Sequence, residues 1–152
     1  MDKKKRPRSY GFAGQRGYLE PPVQGPVVTA FGQEKKKFNL SHVSKGIDIR
    51  TVPGAEVTAI YDGKVVYAGH LRGYGNIIII DHGQQYFSLL SRLGKILKQE
   101  GDPVSSGELI ALMSDQRGLL GDGLHLEIRH GTDPIDPLPW FIPADETAVN
   151  SR

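Results

Sequence analysis

The sequence predicts an all-β domain, a compact antiparallel barrel or sandwich with few or short helices. Three observations point there. The 152 residues include 19 glycines and 10 prolines, which divide the chain into short runs. Most of those runs alternate apolar and polar residues, or are apolar throughout, as strands do. No stretch sustains apolar residues at helical spacing for more than a turn or two.

Taken in order, residues 1–24 are rich in Lys, Arg, Gly and Pro and lack periodicity, so a disordered or linker tail is expected. The β domain is expected over residues 25–142, starting at "GPVVTAFG" (Gly25 to Gly32). "QEKKKFNLSHVSK" (Gln33 to Lys45) is polar and reads as a loop. "GIDIR" (Gly46 to Arg50) alternates as a strand does. "AEVTAIYDGKVVYAG" (Ala55 to Gly69) reads as two strands joined in a hairpin at Asp62-Gly63. Four consecutive isoleucines in "NIIIIDHG" (Asn76 to Gly83) suit a strand buried on both faces. "QYFSLLSRL" follows, and Leu90 to Gln99 has the makings of a helical turn or two, weakened by Gly94. Glu100 to Ser114 reads as turn, short strand, turn, strand. In "GLHLEIRH" (Gly123 to His130), Leu124, Leu126 and Ile128 alternate with Gly123, His125, Glu127 and Arg129. "DPIDPLPWF" closes the domain, and residues 143–152 read as a C-terminal tail.

Composition excludes several functions. Without cysteine there is no disulfide, zinc–thiolate site or thiol nucleophile. The formal charge of +2 belongs to the N-terminus: residues 1–8 hold five of the 19 basic and one of the 17 acidic side chains, leaving a body of 14 basic and 16 acidic. A body at net −2 is not built to bind nucleic acid. No apolar run is long enough to span a membrane, and no apolar core follows the basic start as a signal peptide requires.

"TAFG", "GIDI", "PGAEVTAIYDGKVVYAG", "GYGNIIIIDHG", "LSRL", "EGDPVSSGELIAL" and "HLEIR" occur in an order and spacing that resembles the LytM/lysostaphin-type zinc endopeptidases of bacterial cell walls. The resemblance runs from about Gly25 to Trp140. It implies their all-β fold, a duplicated hybrid motif with a groove for the metal. It also implies zinc ligands from a His-x-x-x-Asp pair and the second histidine of a His-x-His. The first histidine of His-x-His, and another in Tyr-x-His-Leu, would serve the water and the transition state. Residues two or four apart on a strand share a face, so each pattern aims its groups into one groove. Three protein ligands and a water form the usual catalytic zinc shell.

Carried over residue by residue, the resemblance is incomplete. Asp48 and His125 stand at ligand positions, but Ser44, Gly123 and Leu89 stand where histidines are expected. Two residual ligands hold zinc poorly, so no cofactor and no catalytic residue are expected. His42 is the possible substitute ligand, with zinc then the cofactor. Asp48 and His125 also have a reading without metal, as a buried carboxylate–imidazole pair. His82, in "DHG", reads as a turn histidine bonded to backbone, and His70 and His130 as solvated strand ends. Tyr74, in "GYGN", suits ligand contact and turn packing equally.

The pattern resembles the degenerate branch of the family, the murein hydrolase activators of cell division. Those bind and activate cell-wall amidases through the former active-site groove. The groove expected here comprises Ser44, Asp48, Tyr74, Leu89, Gly123 and His125, with Leu89 adding apolar surface and Gly123 leaving room for a partner side chain. The partner would be an amidase or its regulatory helix, with peptidoglycan a further possible contact and the periplasm the setting. Residues 1–24 would then end a linker from a longer exported protein. Three rivals remain: an active zinc peptidase using His42, a passive peptidoglycan-binding module, and a carrier or phosphotransfer domain using His82.

Overall fold

A computed structural model describes residues 7–115 and 123–143. Its strands are β1 (Val27–Thr29), β2 (Glu34–Lys37), β3 (Leu40–Val43), β4 (Ile47–Ile49), β5 (Glu56–Thr58), β6 (Gly63–Leu71), β7 (Gly75–Asp81), β8 (Tyr86–Ser91), β9 (Leu93–Ile96), β10 (Pro103–Val104), β11 (Leu109–Met113), β12 (Leu124–His130) and β13 (Asp133–Ile135). Only short 3-10 turns, such as Phe12–Gln15 and Leu138–Trp140, interrupt the strand pattern among the described residues. The all-β class follows, with every strand pair antiparallel.

The main sheet runs β1-β4-β12-β8-β7-β6-β10, with β13 also on β12. A three-stranded sheet, β5-β11-β9, packs against one face of it, and β2-β3 forms a separate hairpin. Strand parity builds the core. Ile47 and Ile49, Leu124, Leu126 and Ile128, Leu90, and Ile78 and Ile80 all turn inward to meet Val57, Ile110 and Met113 of the smaller sheet. The intervening residues, Asp48, His125, Glu127 and Leu89, lie on the opposite face of the main sheet. That face carries the site.

Four expectations are corrected. The segment expected to be a loose tail packs into the domain, its buried positions beginning at Phe12; residues 1–6 lie outside the described residues. Phe12 is fully buried, with ring centroids of His82, Tyr86 and Trp140 at 4.9, 5.0 and 4.7 Å. Leu19 bridges to Phe141 and Val23 joins the core. A single aromatic seated in a pocket leaves no periodic trace, so the run looked structureless. Second, Gln33 to Lys45 is not a plain loop but holds the β2–β3 hairpin, turned by Phe38 and Asn39 at φ 54° and 64°. Its two faces are both polar enough to hide the alternation. Third, Ala55 to Gly69 is no hairpin. β5 pairs with β11 while β6 pairs with β7 and β10, so the Asp62-Gly63 turn carries the chain between sheets. Fourth, Leu93–Ile96 is strand β9, held by β11, rather than a helical turn. Of the expected C-terminal tail, residues 144–152 lie outside the described residues.

Candidate functional site

Asp48 and His125 are direct cross-strand partners on β4 and β12. Strand alternation turns Ile47, Ile49, Leu124 and Leu126 to the core and leaves the two polar side chains on the outer face. There the Asp48 carboxylate Oδ1 accepts from His125 Nδ1 at 2.7 Å. On the other side of the ring, His125 Nε2 donates to Glu127 Oε2 at 2.9 Å. Both partners are carboxylates, which only accept when ionised. With both carboxylates ionised, the arrangement is satisfied by the doubly protonated ring, the imidazolium. Burial works against that charge, but the bonds to Asp48 and Glu127 outweigh it and hold the His125 pKa above its ordinary value.

The row continues in both directions. Asp48 Oδ1 also accepts from Arg92 Nη1 at 3.0 Å, and Asp48 Oδ2 from Lys35 Nζ at 3.2 Å. Arg129 donates to Glu127 Oε1 through Nη2 at 2.7 Å and Nε at 3.0 Å. Tyr74 OH sits 3.2 Å from both Glu127 Oε2 and Arg129 Nη2. Burial alone would raise both carboxyl pKa values. The bonds from His125 overcome this at each, helped by Arg92 at Asp48 and by Arg129 at Glu127, and both are held below the ordinary range. The carboxylate side chains are nearly enclosed, at 4% exposure for Asp48 and 2% for Glu127. Two such charges would be costly to bury unpaired, and here each is paired more than once.

Of the residues named from the sequence, Asp48, His125 and Tyr74 meet in this row. Leu89 lies opposite Glu127 on the same face, but at 7% exposure it is floor rather than open apolar surface. Ser44 is buried, and its hydroxyl donates to the Gly46 carbonyl at 2.9 Å, closing the turn into β4 instead of facing the groove. Gly123 offers no room for a partner side chain. It takes φ 79°, and a Cβ there would run into the carbonyl of Ile49. The glycine is needed so that the chain can enter β12 against β4. His42 is exposed, and its cross-strand partner is Lys35, whose ammonium takes Asp48 Oδ2.

Sequence reasoning missed Lys35, Arg92, Glu127 and Arg129. Glu127 and Arg129 share His125's parity within one strand, a signal that was available. The family's Tyr-x-His-Leu also fits a frame three residues later, Leu90 to Leu93, and that frame puts Arg92 at the histidine position. Lys35 had no local signal. His82 lies away from this row, with Asp62's carbonyl 2.8 Å from Nδ1 and Ser88's hydroxyl 2.7 Å from Nε2. Its backbone bond is as expected, but it is buried in the aromatic cluster rather than on a turn surface. Burial pushes its pKa down to about 4. His130 stacks on Tyr86 at 4.2 Å.

These residues do not fit zinc. A histidine ligand must offer a lone pair, and each nitrogen of His125 already faces a carboxylate oxygen, at 2.7 and 2.9 Å. Asp48 is already neutralised by Arg92 and Lys35, which occupy the space where a cation would approach. Among the described residues no group of three or more His, Asp or Glu side chains is arranged to hold a metal ion.

Comparison with known proteins agrees with the fold. The model of Peptidase family M23 matches residues 42–137. Murein hydrolase activator EnvC of Escherichia coli (strain K12) is 34% identical over 134 residues, covering 88% of this chain and 31% of that protein. Murein hydrolase activator NlpD of the same organism is 39% identical over 121 residues, covering 79% of this chain and 30% of that protein. The chain thus spans about a third of the length of these curated relatives. Among solved structures, a zinc containing peptidase from Vibrio cholerae superposes with a TM-score of 0.71 at 29% identity, over 82% of this chain and 40% of that one.

Proposed function

The chain belongs to peptidase family M23, and from that premise we propose that it is a catalytically degenerate member that binds and activates a peptidoglycan amidase through its former active-site groove. The observation that carries the reading is the state of His125 and Asp48. Both residual ligand positions are taken up by protein partners, His125 between two carboxylates and Asp48 as the acceptor for Arg92 and Lys35. A groove that keeps its shape while its donor set is closed by protein cations is suited to binding, not to activating water. The naming of EnvC and NlpD as murein hydrolase activators supports the same reading.

The mechanism is differential binding. An amidase whose active site is covered by its own segment exists in closed and open states. A domain that captures the displaced segment stabilises the open state by its affinity for that state alone. The setting is the bacterial cell envelope, where both the amidase and its wall substrate are found. Against the peptidase alternative with His42 as a zinc ligand, the side chain of that hairpin that reaches Asp48 is Lys35, the cross-strand partner of His42.

The test is reconstitution. The purified chain is added to a zinc amidase from the same organism digesting dye-labelled cell-wall sacculi. Dye release should rise several-fold over the amidase alone, with none from the chain by itself. Dye release by the chain alone, abolished by His125→Ala and accompanied by one zinc per chain, would falsify the proposal.

A further inference from the structure

The site's charge does not balance. Among the described residues, the permanent cations Lys35, Arg92 and Arg129 face only the two carboxylates Asp48 and Glu127. One positive charge is left over in a half-enclosed site. The charges are also layered. The carboxylates are buried at the bottom, whereas the side chains of Lys35, Arg92 and Arg129 are 38%, 21% and 25% exposed. The face that a visitor meets is therefore cationic. Arg92 commits one of its five N–H donors to Asp48, and Lys35 divides its three between Asp48 and Thr29, so each has donors directed outward.

One wall beside this floor carries exposed apolar side chains. Lys35 and His42 are cross-strand partners and share a face of the β2–β3 hairpin, and Leu40, two residues before His42, shares it too. Leu40 is 72% exposed there and Phe38, at the hairpin tip, 85%. Phe38 holds φ 54°, a conformation that bulky side chains avoid, and the turn keeps it outward.

Floor and wall together select an occupant. We propose that the amidase segment captured by this groove places an Asp or Glu carboxylate between Lys35 and Arg92, and an apolar side chain against Leu40 and Phe38. This rests on the preceding reading of the groove as a capture site, and adds the chemistry of what it captures. A charge-assisted contact in a partly desolvated site gives both affinity and orientation. The apolar contact then sets the orientation in which the segment enters.

The experiment uses the full chain and the same amidase, with concentration-dependent activation as the readout at low and high NaCl. Lys35→Gln and Arg92→Gln should each raise the half-maximal concentration roughly tenfold, about one charge-assisted contact. Raising the salt should weaken the unaltered chain, and weaken the double variant much less. Leu40→Asp should also raise the half-maximal concentration, with no change in urea midpoint, because the side chain is exposed. Lys35→Gln serves as the control for Arg92→Gln, since its half-exposed side chain can be changed without unfolding the site. Half-maximal concentrations within twofold of the unaltered chain would overturn this inference and leave activation standing. So would variants that activate normally but no longer pellet with purified sacculi, which would assign the cations to wall carboxylates. Absence of activation by the unaltered chain would remove the capture reading and this inference with it.

Discussion

His125→Gln isolates the role of the imidazolium. In the structure, His125 makes two charge-assisted hydrogen bonds, of 2.7 Å to Asp48 and 2.9 Å to Glu127. Hydrogen bonds to charged groups contribute about 1.5–3 kcal/mol each, and breaking a buried ion pair from one side costs about 3–5 kcal/mol. Arg92, Lys35 and Arg129 remain to hold the two carboxylates, so the loss should fall at the lower end, about 3 kcal/mol at pH 6. The pH dependence gives the decisive readout. A histidine with a raised folded pKa contributes stability that is fully present below its unfolded value of about 6.5, and that fades as pH rises through the folded value. Urea unfolding from pH 6 to 9 should show the unaltered chain losing stability above pH 6.5, with the His125→Gln chain nearly flat there. Imidazole nitrogen shifts should show both ring nitrogens protonated at pH 7. A ring with one unprotonated nitrogen at that pH, or parallel pH profiles for the two chains, would refute the reasoning and reopen the site to metal.

Three further outcomes are expected. His82 should bend the acid side: its folded pKa of about 4 against about 6.5 unfolded means that stability is present above pH 6.5 and lost as pH falls to 4, by roughly 3 kcal/mol, and His82→Asn should flatten that limb in urea melts. Gly123→Ala should cost at least about 2 kcal/mol, from the left-handed backbone and the clash with the Ile49 carbonyl; a neutral result in denaturant melts would show that the position has room after all. Phe12→Ala should cost about 3–5 kcal/mol, since the ring is fully buried among His82, Tyr86 and Trp140; an unchanged unfolding midpoint would restore the view of this segment as a dispensable tail.

Much of the architecture was legible because strands write their geometry locally. The parity of "GIDIR" and "GLHLEIRH" put Asp48 and His125 on a common face, and their cross-strand pairing follows. The isoleucine run announced β7, two of its residues facing the core and two the site side. Parity also contained Glu127 and Arg129, although attention to histidines passed over them. Other features left no local trace. Lys35 lies on a hairpin whose turn residues, Phe38 and Asn39, include no glycine. Phe12 contributes through one buried ring, not through a repeat. Asp62-Gly63 carried a true turn signal, but the strand preceding it pairs in another sheet.

By itself, then, the sequence determined the all-β class, most of the strands, the face that carries the site and the gaps in its histidine set. Only the tertiary structure decided what Asp48 and His125 had become. Whether an imidazole offers a lone pair or carries two protons depends on what each nitrogen meets. Here those partners are Asp48, 77 residues distant in the chain, and Glu127, two residues away but pinned in turn by Arg129 and Tyr74. Asp48 in its turn is held by Arg92 from 44 residues away. Charge state follows from desolvation and long-range pairing, and neither is written into any single strand.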